Sequence, residues 1–279
     1  MAKTASAPNP RQSPTKLTAA AAKSAAGDSG SRPKKRRSAN DYWRHAREPF
    51  PCLLFLLPLL ALYELGVYWL GGAHSDLLRN GADYWMRQWL SSLGRGVDFA
   101  LPVLVVGVLL VWHWAGNFSW KIRTETFVGM SAESLLFAFS LVVLGQLQDV
   151  AFRYYGISSP LLVINHGAAS RLVSYVGAGI YEEVLFRLGL LPVCYVAFRV
   201  MRLDQQAAII LAIIASSLTF SWAHYVGPGS DTFSLFTFAF RTLAGLFFAV
   251  LFRVRGFGIT VGTHATYDVL VGILLSARY

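Results

Sequence analysis

The chain has 279 residues, of which 54% are apolar and 14% charged, against roughly 25% charge in an ordinary soluble domain. That balance excludes a large water-soluble domain and leaves room for six to eight membrane crossings of about 20 residues each. The formal net charge of +10 is not a nucleic-acid signal, because eleven Lys and Arg fall between Met1 and Phe50.

The first segment is this basic tail, with the run Lys34, Lys35, Arg36, Arg37. Its Ala, Ser, Pro and Lys content cannot bury enough apolar surface to offset ordering entropy, so Met1 to about Asn40 reads as disordered, with the tail extending over residues 1–49. A basic segment ahead of the first span holds the N-terminus in the cytoplasm. Contact with anionic lipid and an organelle transit peptide are the alternative uses of such a tail.

Apolar windows follow at about Phe50–Leu70, Val97–Trp114, Ala132–Val150, Leu172–Phe198, Ala207–His224, Phe233–Phe252 and Phe257–Leu275. The pattern predicts an all-α, polytopic transmembrane bundle of about seven spans, with the N-terminal membrane helices over 50–164. Residues 76–93 suit an amphipathic helix lying in the interface. A cytoplasmic N-terminus puts Lys121, Arg123, Arg199, Arg202, Arg253 and Arg255 inside, as the positive-inside bias expects, but leaves Arg79, Arg87, Arg95, Arg153 and Arg171 outside. Cys52 and Cys194 lie far apart in apolar stretches and imply no disulfide or Cys-based metal site.

The costly polar residues sit in the last four windows. The fourth contains Glu182, Glu183 and Arg187. Two Glu and one Arg near a helix centre cost roughly 8 to 10 kcal/mol on an insertion scale, and about a dozen Leu, Ile, Val and Phe return only about 6. This helix must therefore turn its charges into the bundle. Glu183 and Arg187 are four apart in the favourable acid-first order and form an ion pair by themselves. Glu182 lies about 100° round the helix and is free to meet another helix, as a general base requires. His224 ends the fifth window, while His264 and Asp268 share one face of the seventh, where the carboxylate can fix the imidazole tautomer. Ionisable groups at membrane depth are functional candidates by default.

Taken in order, Glu182-Glu183-x-x-x-Arg187, Phe220-x-x-x-His224 and His264-x-x-x-Asp268 resemble the three motifs of the CPBP intramembrane proteases, the family that includes the type II CAAX prenyl endopeptidases and bacteriocin-processing or self-immunity proteins. The resemblance covers about Leu172 to Leu275 and makes 165–276 a protease core. It implies hydrolysis of a peptide bond of a membrane-associated protein or peptide without a covalent intermediate, and without a cofactor. Glu182 and His224 would activate a water. His264 and the residue at 268 would stabilise the oxyanion, and Glu183 with Arg187 would aim Glu182. Because an ionised Asp cannot donate a hydrogen bond, Asp268 is expected to orient His264 and hold it as the imidazolium donor. The resemblance does not name the substrate.

Other readings of the same residues stand beside this one. Glu182, His224 and His264 are an acceptable three-ligand set for a catalytic zinc. A transporter or a non-enzymatic immunity or scaffold protein could use the same fold, although no matched pair of broken helices suggests transport. Arg241 could partner Asp268 or snorkel to an interface. Glu64, Gln146, Gln148 and Asp149 read as packing or interface groups. The expected partners are the substrate and the lipid bilayer, with no nucleic acid, and the expected home is the plasma membrane.

Overall fold

The computed structural model describes residues 39–72, 78–94, 96, 100–157, 167–227 and 230–275. Every regular element among them is helical: α1 (Ala39–His45), α2 (Pro49–Gly71), α3 (Gly81–Ser91), α4 (Leu101–Ala115), α5 (Thr124–Tyr154), α6 (Ala168–Glu183), α7 (Leu191–Val200), α8 (Gln205–Ala223), α9 (Leu235–Arg255) and α10 (Phe257–Val269). Two π-helical segments, Val184–Leu190 and Leu270–Leu275, continue α6 into α7 and extend α10. The architecture is a helical membrane bundle, as the apolar windows predict.

Among the described residues four helices are individually long and apolar enough to cross a bilayer: α2, α5, α8 and α9. The other three expected spans are helical but depart from the simple pattern. α4 has 15 residues, about 22 Å at 1.5 Å per residue. The fourth window runs unbroken through a π segment placed immediately after Glu183, and the seventh ends in one. Within 76–93, where an amphipathic interfacial helix is expected, the chain forms α3, capped by Asn80, whose side chain accepts from the Asp83 amide at 2.7 Å.

At the end of the tail the structure differs from the sequence reading. Residues 39–45 are helical, and His45, Ala46 and Glu48 are buried. The cause lies in α9 and its turn. The Arg255 guanidinium sits 3.7 Å from the centre of the Trp43 ring, and Arg47 donates to the Arg253 carbonyl. Composition alone could not reveal these partners. The disorder expected for 1–38 lies outside the described residues.

Turns are set by local chemistry. Asp204 caps α8 by accepting from the Gln206 and Ala207 amides, which hold its carboxyl below the usual carboxylate range. Gly256, at φ +88°, reverses the chain between α9 and α10. α10 is the central post: every residue from Phe257 to Ala265 is buried, and it packs most extensively on α5 and α6. The α6 contact is close because Gly179 faces it. A Cβ there would lie 2.7 Å from the Ala265 amide nitrogen.

Candidate active site

α6 carries two consecutive glutamates, and helix geometry sends them to different neighbours. Glu183 is fully buried and reaches two groups. Its Oε2 lies 3.0 Å from Arg187 Nε, the expected i,i+4 contact, although the two are poorly aligned for a hydrogen bond. Its Oε1 accepts from His264 Nδ1 at 2.8 Å. Arg187, 1% exposed, donates to the Gly245 carbonyl at 3.2 Å, and its guanidinium lies over the rings of Phe220 (4.6 Å) and Phe248 (5.5 Å). Two aromatic faces thus supply the cation with contacts its remaining N–H groups lack.

Glu182 points elsewhere. Its Oε2 is 3.9 Å from His224 Nε2 and 3.7 Å from His264 Nε2. His224 caps the end of α8 and turns its Nδ1 to the Phe220 carbonyl at 2.9 Å. A carbonyl only accepts, so that nitrogen bears the proton, and Nε2 is the ring atom turned towards Glu182. The His264 ring is stacked on Phe248, with centroids 4.5 Å apart and planes 16° from parallel. Three helices therefore bring one carboxylate oxygen and two imidazole nitrogens together.

Two carboxylates meet the His264 ring: Asp268 Oδ2 approaches Nε2 at 3.5 Å, as the spacing within α10 suggests, and Glu183 accepts from Nδ1. Spacing within α10 could not show that a second carboxylate would arrive from α6. Arg241, left between Asp268 and an interface, pairs with Asp231 and covers the Tyr225 ring.

Sequence reasoning also missed the group behind Tyr181. That hydroxyl donates to Glu64, which pairs with Arg87 at 2.7 Å. Asp83 binds Arg79 (2.8 Å), Arg87 (2.6 Å) and the Tyr63 hydroxyl (2.6 Å). This cluster fastens α2 and α3 to α6 at the residue preceding Glu182. A mid-span Glu64 was the available signal, since a lone acid at that depth demands a partner. Gln148, read as packing, donates to the Phe236 carbonyl at 2.8 Å. A groove of about 500 Å³ between α2 and α5, lined by Leu54, Phe55, Pro58, Leu59, Phe127 and Ser131, carries none of the site residues.

Residues 164–270 match the family model of the type II CAAX prenyl endopeptidase, Rce1-like. The matched segment contains all three motifs and every site residue named above, and it agrees with the CPBP resemblance drawn from them. Over this segment the chain is thus similar to the Rce1-like type II CAAX prenyl endopeptidases. No curated protein and no solved structure gave a match.

The donor set was also tested against zinc. Ligands about 2.0 to 2.1 Å from a tetrahedral zinc stand roughly 3.3 Å from one another, closer than the 3.7 and 3.9 Å separations around Glu182. Among the described residues no group of three His, Cys, Asp or Glu is arranged to hold a metal ion.

Proposed function

We propose that the protein is an intramembrane endopeptidase that hydrolyses a peptide bond of a membrane-associated protein or peptide with a Glu/His-activated water. The observation that carries this reading is the approach of Glu182 Oε2 to both imidazole Nε2 atoms, at 3.9 and 3.7 Å. These gaps exceed a direct hydrogen bond but suit one water about 2.8 Å from each atom.

In the proposed reaction Glu182 takes a proton from that water, held also by the His224 Nε2 lone pair. The hydroxide adds to the substrate carbonyl carbon, and the resulting oxyanion accepts from Nε2–H of His264. Glu183 on Nδ1 and Asp268 beside Nε2 hold that ring as a donor. Collapse breaks the C–N bond, and Glu182 returns its proton to the leaving amine. Nothing becomes covalently attached to the protein.

Replacing Glu182 by Gln keeps size and packing while removing the base, and a general base contributes on the order of 100- to 10,000-fold. Cells carrying Glu182→Gln should accumulate an uncut membrane-anchored precursor that wild-type cells process, read by comparing their membrane proteomes. A phenotype that survives the substitution points instead to the transport or immunity reading.

A further inference from the structure

The site is not centred between the two ends of the bundle. Phe50 N donates to His113 Nδ1, Arg47 reaches the Arg253 carbonyl and Arg255 binds Glu133 through both carboxylate oxygens. These contacts gather the starts of α2 and α5 and the ends of α4 and α9 at one end, beside α1. Gln148 bonded to the Phe236 carbonyl, and Arg171 to that of Gly272, gather the end of α5 and the starts of α6 and α9 at the other. His224 belongs to this second end: it closes α8, and its carbonyl accepts from the Asp231 amide at 2.9 Å. Asp268 lies one turn beyond His264 in the same direction. The flank of the site formed by His224 and Asp268 is the accessible one, at 25% and 21% side-chain exposure, against 0% and 1% for Glu183 and Arg187.

The ends differ in charge. Among the described residues, Arg44 and Arg47 lie directly ahead of α2. Lys121, Arg123, Arg199, Arg202 and Arg253 occupy the turns at the same end and form no ion pair among the described residues. At the site end, Arg79 and Arg87 are paired with Asp83 and Glu64, Arg153 with Asp149 and Arg241 with Asp231. Exposed Tyr68, Trp69, Trp89 and Tyr154 ring the site end, and exposed Trp43, Trp112, Trp114 and Trp120 the other. Aromatic belts of this kind sit at the two bilayer surfaces. Unpaired cations are what anionic cytoplasmic headgroups hold, and Lys and Arg near span ends set orientation. Of the arginines that spoiled the charge asymmetry in the sequence, the fold pairs Arg79, Arg87 and Arg153 with carboxylates, Arg171 donates to the Gly272 carbonyl, and Arg95 lies outside the described residues.

We infer that the site opens on the membrane surface opposite α1 and the turns that carry Lys121, Arg199 and Arg253, the extracytoplasmic one, and that its substrates are membrane-anchored proteins cut in a segment lying at that surface. The second half rests on the endopeptidase reading; the first does not. A substrate tethered at the cytoplasmic leaflet presents its scissile bond to the wrong face.

The test is labelling of intact cells with a membrane-impermeant maleimide. Full-length chains with Cys52→Ala and Cys194→Ala carry one new cysteine, Ser230→Cys or Arg202→Cys. Ser230→Cys should label in intact cells and Arg202→Cys only after permeabilisation. Epitope tags on the two ends of the otherwise wild-type chain provide a second measurement, with the N-terminal tag protected and the C-terminal tag accessible. The reverse pattern in either experiment overturns the inference. The expected labelling without a Glu182→Gln precursor would leave the sidedness standing and sink the protease reading. A precursor with reversed labelling would do the opposite.

Discussion

Glu183 is the residue whose replacement separates scaffolding from chemistry. Glu183→Gln keeps the shape but removes the charge that faces both Arg187 and His264. Arg187, 1% exposed, then retains only the Gly245 carbonyl and two aromatic faces. Breaking a buried pair in this way costs about 3 to 5 kcal/mol. Loss of the charged hydrogen bond to His264 Nδ1 removes a further 1.5 to 3 kcal/mol or so from the fixing of that ring, which corresponds to roughly 10- to 150-fold in rate. A second substitution, Arg187→Met, added to the first eliminates the stranded cation. The double variant should recover most of the lost thermal stability, read by melting in detergent, while cleavage of the precursor found with Glu182→Gln stays at the level of Glu183→Gln alone. If cleavage returns together with stability, Glu183 acts only through Arg187 and the proposed control of His264 is wrong.

The same geometry yields three further expectations. Asp268→Asn should cost about tenfold or less in cleavage rate, well short of Glu183→Gln, because the ring remains held through Nδ1; a larger loss than for Glu183→Gln would return orientation to Asp268. Gly179→Ala should lower stability by about 1 to 3 kcal/mol and reduce turnover, since its Cβ would meet the Ala265 backbone nitrogen at 2.7 Å and push α10, with His264, away from α6; melting and turnover unchanged from wild type would refute the close packing. Chelators should leave cleavage by the purified protein intact, and loss of activity that added zinc restores would establish the metal mechanism instead.

What could be read in the sequence divides along the reach of helix geometry. Glu183 and Arg187 are four residues apart on one helix, and the ion pair follows from the 3.6-residue repeat without knowledge of any other element. That Glu182 would be left to meet residues from other helices follows from the same count. The identity of its neighbours does not. Glu183 meets His264 across 81 residues, and Arg255 meets Glu133 across 122, distances over which only the packed bundle decides. For the same reason Asp268 was visible as a neighbour of His264 and Glu183, which arrives from α6, was not. The seven apolar windows located the helices, because lipid forces backbone groups to be satisfied within each segment. The π segment after Glu183 leaves no mark in hydrophobicity, yet π-bulges recur at functional sites.

The proposed reaction also explains how so many charges coexist in an apolar surround. Glu182, Glu183 and Asp268 are set against the Arg187 guanidinium and, in that reaction, one imidazolium at His264, so the cluster carries a single net negative charge. When Glu182 takes the proton of water, its charge disappears from the carboxylate and reappears on the oxyanion beside His264, whose Nε2 is 3.7 Å from Glu182 Oε2. The total never changes, and the charge travels only a few ångströms between groups already fixed in place. A low-dielectric interior punishes the creation of charge far more than its relocation among prearranged donors. Glu183 and Arg187, which move no proton in this scheme, therefore hold the buried frame so that Glu182 can exchange its charge with substrate without solvent having to reorganise.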